Sequence, residues 1–224
     1  MNFNAMENYR AKYRSEVGKY YNGWVHMLSV VIVGIASLSY FIYQINEPTV
    51  TEWLTLPIAI LCVNFAEYAA HRWLGHIHTK IGSLFYSRHT GDHHSFFVED
   101  YMPYQSVRDW RVVLFPTYLI FAFLIGLILP MGAVLYFTFS ANVAFLMATG
   151  GIFGYLFYEV MHFSYHLPNG SFVEKVPVWR ELRQLHNLHH RRSIMVKENF
   201  NITLPIFDFL LGTLYWEKPN KKES

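Results

Sequence analysis

Residues 133–166 read "AVLYFTFSANVAFLMATGGIFGYLFYEVMHFSYH". From Ala133 to Tyr158 there is no formal charge; then come Glu159, His162 and His166. A bilayer-crossing helix needs about 20 mostly apolar residues. This stretch therefore reads as a membrane helix that carries an acid and two imidazoles to the water boundary. His162 and His166 are four apart and share one helical face. Three further stretches have the same character: Trp24–Tyr43, Val112–Leu129, and Thr51–Ala70 with Glu52 and Glu67 near its ends. The chain has 224 residues, enough for one domain, and is 53% apolar and 18% aromatic. Its mean hydropathy is only +0.16, so the apolar runs must alternate with distinctly polar ones.

The expected fold class is thus an all-α integral membrane protein with four transmembrane helices in two hairpins, over about 24–43, 51–70, 112–129 and 133–158. The turn of the second hairpin is expected at Pro130–Gly132. Residues 1–23 form an N-terminal segment ahead of a single membrane domain, 24–224. The polar segments 71–111 and 159–214 are left to build a cytosolic helical cap.

Charge orients the hairpins. Lysine and arginine near span ends mark the cytoplasmic side. Arg10, Lys12, Arg14 and Lys19 precede the first span, Arg72, Lys80, Arg88, Arg108 and Arg111 follow the second, and the rest lie from Lys175 onward. The connections after Tyr43 and at Pro130–Gly132 carry none. All basic residues fall on one side, which puts both termini in the cytoplasm. The first 20 residues lack the apolar core of a cleavable signal peptide. A net charge of +2 gives no reason to expect a nucleic-acid partner. The lone Cys62 allows neither an internal disulfide nor a zinc-finger spacing.

The histidines sort to the same side. His71 and His76 lie in "HRWLGH", His89, His93 and His94 in "HTGDHH", His162 and His166 in "HFSYH", and His186, His189 and His190 in "HNLHH". His26 and His78 stand apart, read as an interfacial and a surface residue. On an α-helix, His89 and His93 share a face and His94 points about 100° away. His71 and His76, five apart, do not share one. Ten imidazoles exceed what one ion accepts, so two ions with about five nitrogens each is the economical reading. Imidazole suits zinc, copper, iron and nickel, and the zinc-protease pattern "HExxH" is absent. Metal-bound histidines usually donate their other N–H to an orienting acceptor. Glu67, Asp92 and Glu159 stand closest in sequence for that part.

Together, "EYAAHRWLGH", "HTGDHH", "GYLFYEVMHFSYH" and "HNLHH" resemble, in order, the histidine boxes of the fatty acid hydroxylase and sterol desaturase superfamily of membrane di-iron enzymes, nearest its fatty acid 2-hydroxylase branch. "NFNITLPIFDFLLGTL" is similar to the family's closing segment, in which Phe207, Asp208, Gly212 and Thr213 occupy recurring positions. Phe207 stands where a tryptophan is usual, and a glycine often found in that segment is missing. The resemblance implies a four-helix membrane bundle under a cap holding two iron ions, with zinc as a substitute in purified protein. The ten boxed histidines fall on its ligand positions. It implies a monooxygenase that uses O2 as co-substrate and hydroxylates an unactivated C–H of a lipid, a fatty acyl chain foremost.

Desaturation on the same site, a divalent-metal transporter and a zinc-dependent membrane hydrolase are the alternatives. No haem-binding "HPGG" occurs, so electrons are expected from a separate cytochrome b5-like protein, ferredoxin or reductase. Trp73, Phe85, Phe96, Phe97 and Phe163 are candidate walls of an acyl path. The expected location is a bacterial inner membrane, or the endoplasmic reticulum in a eukaryote, where the tail "KKES" would match a dilysine retrieval pattern.

Overall fold

The computed structural model describes residues 3–217, which places the "KKES" tail outside the described residues. It is helical, and among those residues there is no strand, only an isolated bridge between Val98 and Tyr101. The amphiphilic α1 (Phe3–Glu16) precedes four long apolar helices: α2 (Gly23–Tyr43), α3 (Val50–Gly75), α4 (Val107–Thr138) and α5 (Ala141–Tyr165). All four are long and apolar enough to cross a membrane. α6 (Pro177–His189) and the short α7 (Ile206–Leu210) follow.

The second hairpin turns later than expected. Pro130–Gly132 is helical: Pro130 lies within α4, directly after the π-turn Leu124–Ile128, the kind of local irregularity at which a helix accommodates a proline. The chain reverses instead at Phe139–Ser140, and Ser140 caps α5 by accepting from the N–H of Val143. Asn142 lies at this turn. Its amide donates to the carbonyl of Asn46 at 2.9 Å, and Ser140 Oγ donates to Glu52 Oε1 at 2.5 Å. These contacts bring both hairpin turns to one end of the bundle, opposite the histidines.

α5 is the central helix. Half of its apolar window is buried, against about a quarter for each of the other three. Small residues let its neighbours approach, the usual device where lipid supplies no hydrophobic drive between helices. A Cβ at Gly150 would lie 2.5 Å from Ala59 Cβ, and one at Gly154 would lie 2.5 Å from Val63 Cγ1, so α3 packs directly on this stripe. Ile128 of α4 sits on Gly151, and Leu156 sits against Gly34 of α2. Around this core the outer faces stay apolar. Ile32, Ile58, Phe121 and Ile125 are each about half exposed or more, and Cys62 is exposed beside them. A belt of this kind is far larger than a water-facing surface tolerates.

α1 packs against the cap. Arg10 is buried; its guanidinium donates to the carbonyls of Phe96 (2.9 Å) and Tyr101 (2.6 Å). Arg14 makes a two-point contact with the buried Asp109, at 2.7 and 2.9 Å. These bonds pin the connection between α3 and α4, the segment carrying "HTGDHH".

Candidate metal centre

Four stretches deliver the ten boxed histidines, and every ring is buried. The helical geometry of two of them differs from the α-form. Residues 70–75 and 87–93 wind as π-helix, with i→i+5 hydrogen bonds and a wider turn. His71 and His76 therefore do share a face, with rings stacked at 5.1 Å. His89 pairs with His94, Nε2 to Nε2 at 3.0 Å, while His93 turns away to another set. Expectations based on 100° per residue fail here because the repeat is longer; π-turns are frequent at functional sites. α6 is an ordinary helix, and its four-residue pair His186 and His190 meet at 3.1 Å.

The rings form two adjoining groups. Donor nitrogens of His71, His76, His89, His94 and His189 lie within 4.8 Å of one another, as do those of His93, His166, His186 and His190. His162 joins the second group through its Nε2, 3.2 Å from that of His93. The groups touch where the rings of His94 and His190 stack at 4.2 Å.

The protons can be traced. Nδ1–H groups of His93, His166, His189 and His190 donate to the carbonyls of Val112, Met102, Glu198 and Phe97 at 2.8–3.0 Å, and that of His71 donates to Phe200. Thr90 Oγ donates to Gly75 O at 2.6 Å, so it accepts from His76 Nδ1 at 3.1 Å. On all six rings Nε2 is then left with its lone pair. Yet His76 Nε2 faces His189 Nε2 at 2.9 Å, and His93 Nε2 faces His190 Nε2 at 3.2 Å. His71 Nε2 is buried with no hydrogen-bond partner.

Lone pairs so opposed need a cation between them. A proton does not serve, since burial holds His93 and His189 down at about 4 and His76 at about 2, with His190 also well below the usual value. A metal ion does. Two nitrogens each about 2.1 Å from one ion and at right angles lie about 3.0 Å apart. The all-imidazole donor set, its deprotonated state and its spacing thus fit two transition-metal ions.

Glu67, Asp92 and Glu159 do not orient these rings. Glu67 accepts from the backbone of Ile202 and Thr203 and from the Thr203 hydroxyl. Asp92 takes Arg88 and the Tyr9 hydroxyl, and Glu159 takes the N–H of Phe115. Main-chain carbonyls do the orienting instead, and no side-chain motif could have announced them. His26 is buried between the Tyr21 hydroxyl and Phe115 O, and His78 is exposed against Tyr86.

A cavity of about 250 Å³ opens onto His89, His93 and His162. Its walls include Leu74, Phe85, Leu114, Phe115, Leu119 and Tyr158. Of the five aromatics expected there, only Phe85 lines it. Trp73 rests on Tyr68. Phe96 and Phe97 fill the cap core behind the histidines, and Phe163 packs against Trp110. Arg88 and Arg111, which the sequence did not single out, also face the cavity.

Residues 56–213 match the family described as fatty acid hydroxylase. Two relatives are dihydroceramide fatty acyl 2-hydroxylases of Arabidopsis thaliana, FAH2 and FAH1. FAH2 is 29% identical over 174 residues, covering 76% of this chain and 65% of the relative. FAH1 is 28% identical over 183 residues, covering 75% and 65%. The chain thus matches just under two-thirds of the length of these relatives. Among solved structures, full-length scs7p, with only its hydroxylase domain visible, superposes with a TM-score of 0.59 at 21% identity, covering 90% of this chain and 70% of that one. At that identity the likeness establishes the fold.

Proposed function

We propose, from the premise that this chain belongs to the fatty acid hydroxylase family, that it is a membrane di-iron monooxygenase inserting one oxygen atom into an unactivated C–H bond of a lipid acyl chain. The observation that carries this reading is the pair of opposed Nε2 lone pairs, His76–His189 and His93–His190, each inside a five-histidine group beside an apolar cavity. His71, His76, His89, His94 and His189 would hold one ion; His93, His162, His166, His186 and His190 would hold the other. Bound there, two irons would supply the redox chemistry that couples O2, two external electrons and two protons to formation of an alcohol and water.

The chain's own contribution is placement. Carbonyls of Phe97, Met102, Val112, Glu198 and Phe200 fix five ring orientations before any ion arrives, which spares the reorganisation that a looser cage would need. Leu114, Phe115, Leu119 and Tyr158 shape an apolar path reaching His93 and His162, along which a methylene can approach. Tyr158 stacks on Phe115 at 4.8 Å, which stiffens that wall. Among the described residues the cavity walls carry no Asp or Glu to act as a hydrolytic base, which favours an oxygenase over a zinc hydrolase.

Both hairpin turns lack lysine and arginine, and the histidines lie at the other end. This supports a cap in the cytoplasm, where a separate cytochrome b5-like protein, ferredoxin or reductase delivers electrons. The same asymmetry holds in either host membrane, the bacterial inner membrane being our preferred one. The test is iron analysis of protein purified without chelator or added zinc, followed by reaction of the reduced protein with 18O2 and acyl lipid. Two irons per chain and one labelled oxygen in the product alcohol are expected. An alkene without label would make it a desaturase, and an alcohol labelled only from water would defeat the oxygenase reading.

A further inference from the structure

The cavity reaching His89, His93 and His162 does not end in an apolar wall. Arg88 and Arg111 line it together with Leu84, Pro116 and Tyr118, and the same five residues line a second cavity of about 640 Å³. The two spaces therefore meet at a pair of guanidiniums. Arg88 is largely neutralised: its Nη1 lies 3.0 Å from Asp92 Oδ2. Arg111 has no carboxylate in ion-pair range among the described residues. Its one side-chain bond is from Nη1 to the Tyr13 hydroxyl at 3.1 Å, and its guanidinium lies over the Tyr13 ring. His26, which also lines the second cavity, is occupied on both ring nitrogens by Tyr21 and Phe115. Among the described residues, neither cavity has an Asp or Glu in its walls. A half-buried guanidinium with most of its five donors unspent, in a mostly apolar space, calls for an oxyanion.

We propose that Arg111, supported by Arg88, binds the anionic head of an acyl substrate, so that the substrate is a chain ending in a carboxylate-type or phosphate-type oxyanion rather than a neutral amide. The planar fork of arginine suits such a group, which it can hold by two parallel hydrogen bonds. The site adjoins the histidines through the main chain: Arg88 precedes His89, and Arg111 precedes Val112, whose carbonyl holds His93. Head and reacting carbon then share one cavity. The proposal names the substrate class of the hydroxylase reading, but the binding it describes is measured without turnover.

The iron-loaded protein in neutral phosphatidylcholine nanodiscs is titrated anaerobically with radiolabelled hexadecanoate and, separately, hexadecanamide. Wild type is expected to prefer the acid at least tenfold. Arg111→Gln should lower that preference at least tenfold, Arg111→Lys should restore part of it, and Arg88→Gln should lower it less. Competition by phosphatidic acid distinguishes the source of the anion: displacement of hexadecanoate assigns the site to phospholipid heads, no displacement to free acids, and both carry the oxyanion reading. Equal wild-type affinity for acid and amide overturns the proposal whether or not the variants fold, as does an undiminished preference in an Arg111→Gln protein that retains its iron. Selective binding with no oxygen transfer to any lipid would remove the hydroxylase reading and leave the anion site standing. Hydroxylation of the amide with equal affinity for both would do the reverse.

Discussion

Asp208→Asn is a nearly isosteric change, yet it should loosen one half of the metal centre. Asp208 is fully buried. Its Oδ1 accepts from Phe200 N at 2.9 Å and from the Thr213 hydroxyl at 2.7 Å, and its Oδ2 accepts from Asn201 N at 2.6 Å. An asparagine can keep the first two by placing its oxygen at Oδ1, but its NH2 then meets the N–H of Asn201. Losing a charge-assisted bond and stranding a buried donor costs about 1.5–3 kcal/mol. Weakening the other two from ionic to neutral acceptors adds roughly 1 kcal/mol more. The total, about 2.5–4 kcal/mol, is a large share of a typical folding free energy of about 5–15 kcal/mol.

The damage has an address. Phe200 O orients His71 and Glu198 O orients His189, both in the group with His76, His89 and His94. The other group takes its carbonyls from Phe97, Met102 and Val112, far from Asp208 in the chain. Iron per chain in Asp208→Asn should therefore fall from two towards one, with a lower thermal midpoint in detergent. Thr213→Val, which loses only the hydroxyl's bonds to Asp208 and Tyr68, should cost about 1 kcal/mol and keep both ions. Full iron content and an unshifted midpoint in Asp208→Asn would refute this route of support, as would equal loss from both groups by Mössbauer spectroscopy.

His93→Ala should remove iron and oxygen uptake together, whereas His78→Ala, an exposed ring outside both groups, should leave both at the wild-type level by metal analysis and an oxygen electrode. Gly154→Leu should destabilise the bundle by about 1–3 kcal/mol, since even its Cβ would meet Val63 at 2.5 Å; Gly132→Ala meets nothing within 4 Å and should stabilise by about 0.5–1 kcal/mol, both read from thermal midpoints in detergent. For metal-free protein, His93 and His189 sit at about 4 when folded, against about 6.5 unfolded. The unfolded chain binds more protons between those values, so stability is full above about pH 6.5 and is lost as pH falls towards 4, by about 3 kcal/mol for each ring. A midpoint that is flat or rises as pH is lowered from 7 to 4 would contradict this.

Much of the arrangement is legible in the residues because composition and spacing are direct physical instructions. An uncharged run such as Trp24–Tyr43 can satisfy its backbone in lipid only as a helix, and the absence of lysine and arginine from two connections sorts the ends. The boxed histidines are unusual enough to point at one another across more than 100 residues of chain. What stays hidden depends on backbone. The five carbonyls that aim the rings belong to Phe97, Met102, Val112, Glu198 and Phe200, whose side chains say nothing about the bond. Nearness in sequence suggested Glu67, Asp92 and Glu159 for that task, but each has nearer donors of its own. The turn at Phe139–Ser140 was similarly masked by Pro130, a residue that marks a turn in one context and sits beside a π-turn within a continuous helix in another.

The π-turns show why histidine spacing alone assigns the wrong partners. In "HRWLGH" and "HTGDHH" the first and last histidines are five apart. On an α-helix five steps of about 100° leave them about 140° apart, and the four-apart pair His89–His93 would be matched instead. With one π-turn in each segment, His71–His76 and His89–His94 align and His93 is released to the opposite group. The close approach has a local requirement: a Cβ on Gly75 would lie 2.9 Å from His89 Cδ2. Glycine thus lets the two π-turns pack ring against ring. A pair of short boxes, each too compact to surround an ion, is thereby divided so that four of their five imidazoles form one group with His189, while the fifth, His93, enters the other.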